Sequence, residues 1–489
     1  MNLFRSALTV GGFTMMSRVL GFVRELLIAS LLGTGPVADA FYAAFRFPNL
    51  FRRLFGEGAF NAAFVPLFSK ALEKGGEEDA RLFTREILSA LLVVLLALTA
   101  LAEIFMPFLV RWVVAPGFTN DPDKFELTVQ LTRIMFPYLF CMSLVAMFSG
   151  VLNSLGKFAA AAFAPVLLNI VMITVLSAAA YAKITDLRTV GLIMSWGVCV
   201  SGFLQLGFLA VACRREGFLT GISRPRLSPR VKRMLVLAIP VTIAGGITQV
   251  NLLIGQMIAS QKAGAIAVLQ YADRIYQLPL GVVGIAVGVA LLPNISRKFQ
   301  SGDLAGVDDS QNRALEMSML LTVPAAAGLM CLAQPVVNVL FERGQFTAAD
   351  TAITAPTLFA FAIGLPAFVL IKVFSPGFFA REDTKTPTIY AAISVFINVA
   401  GSLLLFPIYN EIGIAIATTA AAWVNAALLG ITLASRGHYQ PDARAFRNVP
   451  LIFLGSTLMA GVLVLVMQAA SSVFSSDFSI LYRFTTLMG

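Results

Sequence analysis

Apolar runs of about 20 residues or longer recur along this 489-residue chain, and they do not alternate with polar positions. That feature narrows the fold more than any other. A bilayer offers the backbone no hydrogen-bond partners, so only helices and closed barrels can span it. Barrel strands are about 10 residues of strict alternation, and the run "LLVVLLALTALAEIF" from Leu91 has neither that length nor that pattern. Composition agrees. Only 13% of residues are charged and 58% are hydrophobic, against about 25% charged in soluble domains. The expected fold class is an all-α polytopic membrane protein.

The pattern predicts helices at 8–32, 38–68, 84–111, 126–152, 158–182, 189–213, 235–261, 265–293, 313–341, 350–380, 387–408, 411–435 and 448–470. That gives thirteen complete spans. The stretch 471–489 reads as the start of a truncated fourteenth. Arg18 falls within the first apolar segment and no cleavage site follows a short apolar core, so that segment reads as a retained helix rather than a signal peptide.

Lys and Arg in the loops set the expected orientation. With the N-terminus in the cytoplasm, the inner loops hold about 21 basic residues and the outer ones about 6. The richest loop, "CRREGFLTGISRPRLSPRVKRM", has seven basic residues from Arg214 to Arg233. It is read as a topology signal and a contact for anionic membrane lipids, not as a nucleic-acid site. It divides the chain into an N-terminal six-helix lobe at 1–213, a basic cytoplasmic linker at 214–234, a C-terminal six-helix lobe at 235–436, and a C-terminal helix or helix pair at 437–489.

The two lobes echo each other. "FSGVLNSLGKFAAAAFAPVLLNIV" from Phe148 and "FSPGFFAREDTKTPTIYAAISVFINVA" from Phe374 both run Phe-Ser, Gly, a Lys-bearing turn and an Asn (Asn169, Asn398) in an apolar helix. The second helix of each lobe carries a proline, Pro48 and Pro279. Parallel repeats of six helices are a transporter architecture with the substrate site between the halves.

Charges lie inside these apolar segments. On the first helix, Thr14, Arg18, Gly21 and Glu25 follow i, i+4, i+7, i+11 spacing and share a face, with Arg24 about 100° to one side. Arg18 is about 15 Å from the helix start at 1.5 Å per residue, too deep for easy snorkelling. On the second, "DAFYAAFRFPNLFRRLFGEGAF" sets Asp39, Arg46, Arg53 and Glu57 on one approximate face, with Arg52 beside Arg53. Pro48, Gly56, Gly58 and Pro279 are hinge candidates. Asp273 and Arg274 open the eighth helix. Lys372 stands near the end of the tenth, where it could line a cavity or reach headgroups.

Each arginine at bilayer depth costs about 2.5–3.5 kcal/mol if it faces lipid, so these groups face a watery cavity or partners. Structural pairs such as Arg24–Glu25 or Asp39–Arg18 are the alternative. The cations outnumber the acids, which points to an anionic substrate, because the planar guanidinium donates paired hydrogen bonds to diphosphates and carboxylates. A cation-exporting antiporter would need the opposite sign. No metal is expected: Cys141, Cys199, Cys213 and Cys331 are scattered and His438 is the single histidine. No cofactor or nucleophile–base pair is apparent, so the chain does not read as an enzyme.

Taken together, "SRVLGFVRE" at 17–25, "DAFYAAFRFPNLFRRLFGEGAFNAAFVP" at 39–66, "APGF" at 115–118, "FPYLF" at 136–140, "FAPVLLN" at 163–169, "YADRIYQLPLGVVG" at 271–284, "FERGQFTAAD" at 341–350 and "FSPGFFAREDTKTP" at 374–387 resemble the MurJ/MviN lipid II flippases, within the MATE-like exporters and polysaccharide flippases. The resemblance implies fourteen helices in a bacterial inner membrane. It also implies movement of lipid II, the undecaprenyl-diphosphate disaccharide-pentapeptide, to the periplasmic leaflet by alternating access for peptidoglycan synthesis. It implies that Arg18, Arg24, Asp39, Arg52, Arg53 and Arg274 are cavity charges, the arginines binding substrate and Asp39 supporting them; Glu25, Arg46, Glu57, Asp273 and Lys372 are read from their own places in the apolar helices as further supporting charges. A flippase for another polyprenyl-diphosphate oligosaccharide would use the same charges. The driving force, membrane potential or ion gradient, is left open; no acids for a sodium site are apparent in the second lobe.

Overall fold

The computed structural model describes residues 3–53, 60–219 and 221–469, with side chains placed outside 3–8, 51, 60–62, 243–244, 248, 282–290 and 469. Among the described residues, each of the thirteen segments expected between 8 and 470 has a helical counterpart. Contacts divide the chain into two compact units, Met1–Gly264 and Ala265–Gly489.

The first unit contains α1 (Leu3–Leu32), α2 (Pro36–Phe51), α3 (Phe60–Ile104), a short α4 (Met106–Leu109), α5 (Pro122–Met135), α6 (Pro137–Ser154), α7 (Phe158–Tyr181), α8 (Leu187–Arg215) and α9 (Pro229–Ala259). Helix α1 packs along α7, α6 against α3 and α8, and α2 against α5. The second unit contains α10 (Ala265–Gln300), α11 (Leu304–Cys331), α12 (Ala333–Phe341), α13 (Ala348–Phe379), α14 (Lys385–Tyr409), α15 (Glu411–Ser435) and α16 (Ala443–Ala469). Here α13 is central: it packs on α10, α11 and α15, and α14 completes the layer on α15. Its core joins Val369, Val373 and Phe378 to Ile295, Val307, Leu429 and Leu433.

Among the described residues, nine helices are long and apolar enough to cross a membrane. They become ten if Pro229–Thr242 and Gly245–Ala259, bent by 46°, form one broken span. Helix α16 has only 6% of its apolar window buried, which leaves its flanks to lipid. The expected fourteenth helix at 471–489 lies outside the described residues.

Several boundaries differ from expectation: α10 runs to Gln300 rather than 293, and the span expected at 313–341 is α11, from Leu304 to Cys331, followed by the separate α12. The second apolar segment was expected as one helix over 38–68, followed by a loop to 84. Helix continues to Arg53, residues 54–59 lie outside the described residues, and it is the expected loop that differs: α3 carries helix into the polar stretch "SKALEKGGEEDARLF" from both sides. Ala, Leu, Glu and Lys are strong helix formers, so the polar stretch stays helical up to and after a single break. The break falls at Gly76, at φ 73°, ψ −171°, a conformation that suits glycine. The seventh helix starts at Pro229, not 235, because Ser228 accepts from the Val231 amide and Pro229 occupies the first turn. It packs on α3 within the first unit.

The basic linker is tied down. Arg230 bonds Asp79 at 2.6 Å, Ser228 Oγ donates to Glu86 at 2.7 Å, and the Ser223 amide donates to Ser89 Oγ at 2.8 Å. In the second unit, Arg313 on α11 pairs with Glu316 at 2.6 Å and with Asp442, which caps α16 through the Ala445 amide at 2.7 Å. Both clusters fix a helix start where it leaves the apolar zone.

Candidate functional site: the charges within the helices

On α1 the expected charged face is graded. Arg18 is exposed, Gly21 is buried and Glu25 is 1% exposed. Among the described residues Arg18 has no ion pair or hydrogen-bond partner. Arg24 is the opposite case. Its Nη2 lies 2.8 Å from Glu25 Oε1, and its Nη1 donates to Asn169 Oδ1 at 3.1 Å. The Tyr42 hydroxyl donates to the other Glu25 oxygen at 2.7 Å. Asn169 is fixed in turn, its Nδ2 donating to the Ser17 carbonyl at 2.9 Å and to Pro165 O at 3.3 Å. Three helices, α1, α2 and α7, therefore converge on one ion pair, α7 at the guanidinium and α2 at the carboxylate. Each charge-assisted bond is worth about 1.5–3 kcal/mol, which offsets part of the cost of burial; Arg24 Nε stays buried without a hydrogen-bond partner. Of the two structural pairs named as alternatives, Arg24–Glu25 forms.

The other, Asp39 with Arg18, does not. Asp39 is fully buried at the start of α2, and its Oδ2 accepts from Lys124 Nζ at 2.7 Å and from the Gly264 amide at 2.6 Å. Lys124 also stands 3.9 Å from the Phe118 ring centroid, a cation–π contact. The "APGF" turn is pressed onto the end of α9: the Gly117 amide donates to Ser260 Oγ at 2.9 Å, and Gln256 Nε2 donates to Val114 O at 2.7 Å.

The expected stripe on the second helix does not share one environment. Asp39 is buried, Arg46 and Arg52 are half-buried and Arg53 is exposed. Pro48 lies within α2, and Arg52, one turn on, donates its Nε to Asn49 Oδ1 at 2.7 Å. Glu57, Gly56 and Gly58 lie outside the described residues. In the second unit, Asp273 and Arg274 are half-buried on α10, with Asp273 accepting from Gln277 Nε2. Arg274 has no partner among the described residues. Pro279 is inside α10, and Lys372 is exposed on α13.

Asn398, the counterpart of Asn169 in the sequence echo, lies on α14. It is buried, and its Oδ1 accepts from Thr418 Oγ1 at 3.1 Å. The first unit's asparagine thus holds a charge and the second unit's is bound by a hydroxyl.

Sequence reasoning missed Lys124 and Tyr42. Lys124 sits in "TNDPDKFE", which reads as a solvated loop. Tyr42 is one aromatic among several in "DAFYAAFRFP". The signal for Tyr42 was its spacing from Asp39 on a helix otherwise filled by Phe and Ala.

The Lipid II flippase MurJ family model matches residues 28–485. A Rhizobium tropici protein described as a probable lipid II flippase MurJ is 53% identical over 464 residues, 95% of this chain and 87% of that protein. A solved structure of the lipid II flippase MurJ, described as an inward closed conformation, superposes with TM-score 0.80 at 25% identity, covering 98% of this chain and 96% of that one. An inward-facing MATE-family multidrug transporter shares the fold at TM-score 0.68 and 15% identity, covering 94% and 98%. With a matching family model from residue 28 to 485 and more than half of its residues shared with such a relative, the chain belongs to the MurJ lipid II flippase family.

Proposed function

We infer that this chain is a flippase that carries lipid II from the cytoplasmic to the periplasmic leaflet of a bacterial inner membrane, by alternating access. The observation that carries the reading is the family match over residues 28–485. The chemistry is consistent with it. An acidic diphosphate needs cationic donors inside apolar helices, and the first unit supplies Arg18, Arg24, Arg46, Arg52 and Arg53 against Glu25 and Asp39 among the described residues.

The arginines divide by role in this reading. Arg18 and Arg274 meet the substrate's diphosphate and sugar-peptide head, together with Arg52 and Arg53. Arg24, held by Glu25 and Asn169, shapes the field at that point, and Asp39 braces α2. Arg46, Asp273 and Lys372 are supporting charges, and Glu57 keeps that role as a proposal from sequence. The N-terminus and the basic linker face the cytoplasm, as the loop charges direct.

Leaflet-resolved movement of labelled lipid II in proteoliposomes tests this, with membrane potential and ion gradients varied separately. Wild-type protein should move lipid II, and Arg18→Ala and Arg274→Ala should not, while still inserting. Full complementation of a flippase-depleted strain by those variants would refute the site assignment.

A further inference from the structure

Within the first unit lies a cavity of about 310 Å³ that the charge pattern did not anticipate. Helices α6, α7 and α8 wall it, with Val10 contributing from α1 and Arg52 from just past the end of α2. The sequence explains why there is room. In "FAAAAFAP" at the start of α7, Ala161, Ala162 and Ala164 present only methyl groups to it. Its polar lining is Arg52, Ser149, Asn153 and Gln205.

Gln205 is unusual. It lies in the apolar run "GFLQLGFLA", is fully buried, and its Nε2 donates to the Ser201 carbonyl at 3.1 Å. That bond fixes the amide's orientation and leaves Oε1, also buried, with no hydrogen-bond partner. A buried orphan acceptor costs about 1–3 kcal/mol, and a hydroxyl or amide N–H entering the cavity would recover it. Arg52 supplies a cation in the same cavity. A ligand that fits both is an anion bearing a hydroxyl or N-acyl donor close to its charge.

Size narrows the choice. At about 30 Å³ per water, the cavity holds roughly ten waters, which is the room of one pyranose ring, with the rest of a larger head left outside it. We propose that this cavity is a subsite for the phosphate-proximal sugar of the polyprenyl-linked substrate, with Gln205 as a specificity-determining residue. The sugar's hydroxyl or acetamide N–H donates to Gln205 Oε1, and the attached phosphate turns toward Arg52. Pro165 lines the cavity, and its carbonyl holds Asn169, the residue that holds Arg24. An occupied cavity therefore abuts the Arg24 clamp one helical turn along α7.

This proposal rests on the flippase reading, and its test separates the two. Binding of lipid II and of sugar-free undecaprenyl diphosphate is measured by native mass spectrometry on the full chain. The variants are Gln205→Leu, which removes the acceptor, and Ala162→Phe, which fills the cavity. Both should weaken lipid II binding about fivefold, the size of one buried hydrogen bond, and leave undecaprenyl diphosphate binding unchanged. A wild-type chain that binds lipid II no better than undecaprenyl diphosphate overturns the flippase reading and the subsite together. A wild type that prefers lipid II, with both variants keeping that preference, overturns the subsite alone. Equal loss of both ligands also overturns it, because the residues then act on the fold and not on the sugar.

Discussion

Lys124 Nζ lies 2.7 Å from Asp39 Oδ2, and neither side chain is more than 5% exposed. Eighty-five residues of chain separate them. The same oxygen takes the Gly264 amide at 2.6 Å, so one carboxylate joins the start of α2, the start of α5 and the turn after α9. Breaking such a buried pair strands a charge and costs about 3–5 kcal/mol, whereas removing both partners costs less. Asp39→Asn and Lys124→Met should each lower the thermal midpoint in detergent, and the double variant should recover part of the loss. A double variant as unstable as the sum of the two would mean that the groups act independently.

The Arg24 clamp predicts a loss without any change of charge. Tyr42→Phe deletes the hydroxyl that donates to Glu25 at 2.7 Å, a bond to an ionised acceptor worth about 1.5–3 kcal/mol. Lipid II movement should fall along with thermal stability, and Asn169→Ala should do the same through Nη1. Unchanged transport in both variants would show that Arg24 needs no fixed orientation.

Helix placement was legible because it depends on local apolar length. The segment expected at 158–182 is Phe158–Tyr181, and that at 411–435 is Glu411–Ser435. Polarity misled where it coincided with strong helix formers, as in α3 before Gly76, and where a capped polar turn opens a helix, as at Ser228 and Asp303. The site was half legible. Deep arginines announce themselves by their cost, and Arg24–Glu25 are chain neighbours. Which acid meets which base across the fold is a different matter. Periodicity places Asp39 and Arg18 on faces of their own helices but says nothing of Lys124, whose loop-like context hid a buried ammonium. Gln205 was visible as a lone polar residue in an apolar run, yet only the cavity around it shows what it faces.

The "APGF" turn should tolerate no side chain at its glycine. A Cβ on Gly117 would sit 2.3 Å from the Ser260 carbonyl oxygen and 2.6 Å from the Gln261 amide nitrogen. Both are backbone atoms and cannot swing aside. Gly117→Ala should therefore push the turn off α9, breaking the bond to Ser260 Oγ, and lower stability by about 1–3 kcal/mol. Ser260→Ala, which removes the hydroxyl but no space, should cost less. Thermal unfolding of the two variants side by side would read the difference, and a harmless Gly117→Ala would contradict the close packing.

Acid sensitivity should trace in part to the turn between α13 and α14. Hydrogen bonds from the Thr386 hydroxyl and amide, with Arg436 adding its charge, hold the Asp383 carboxyl at about 2, below its usual 3.8. A carboxyl lowered on folding stabilises the protein above its unfolded value, and that contribution is lost as pH falls from about 4 towards 2. The Arg436 pair is partly exposed, so solvent screening keeps the effect small. Between pH 5 and 2 the wild type should lose more thermal stability than Asp383→Asn, which lacks the titrating group. Parallel curves for the two proteins would remove Asp383 from the acid response.

Lysine substitutions should separate the two arginines of α1. Lysine keeps the charge but replaces the planar fork with a single point of donation. At Arg24 the fork is committed, one nitrogen to Glu25 and the other to Asn169, in a site only 8% exposed. One ammonium on a differently shaped stem cannot hold both partners at those positions, so Arg24→Lys should cut lipid II movement at least about tenfold. Arg18 is exposed and has no protein partner among the described residues. An ammonium there can still follow a phosphate, so Arg18→Lys should stay within about threefold of wild type. Initial rates in proteoliposomes would decide. Equal losses at the two positions would assign them one shared role, and a greater loss at Arg18 would make it the residue whose geometry matters to the substrate.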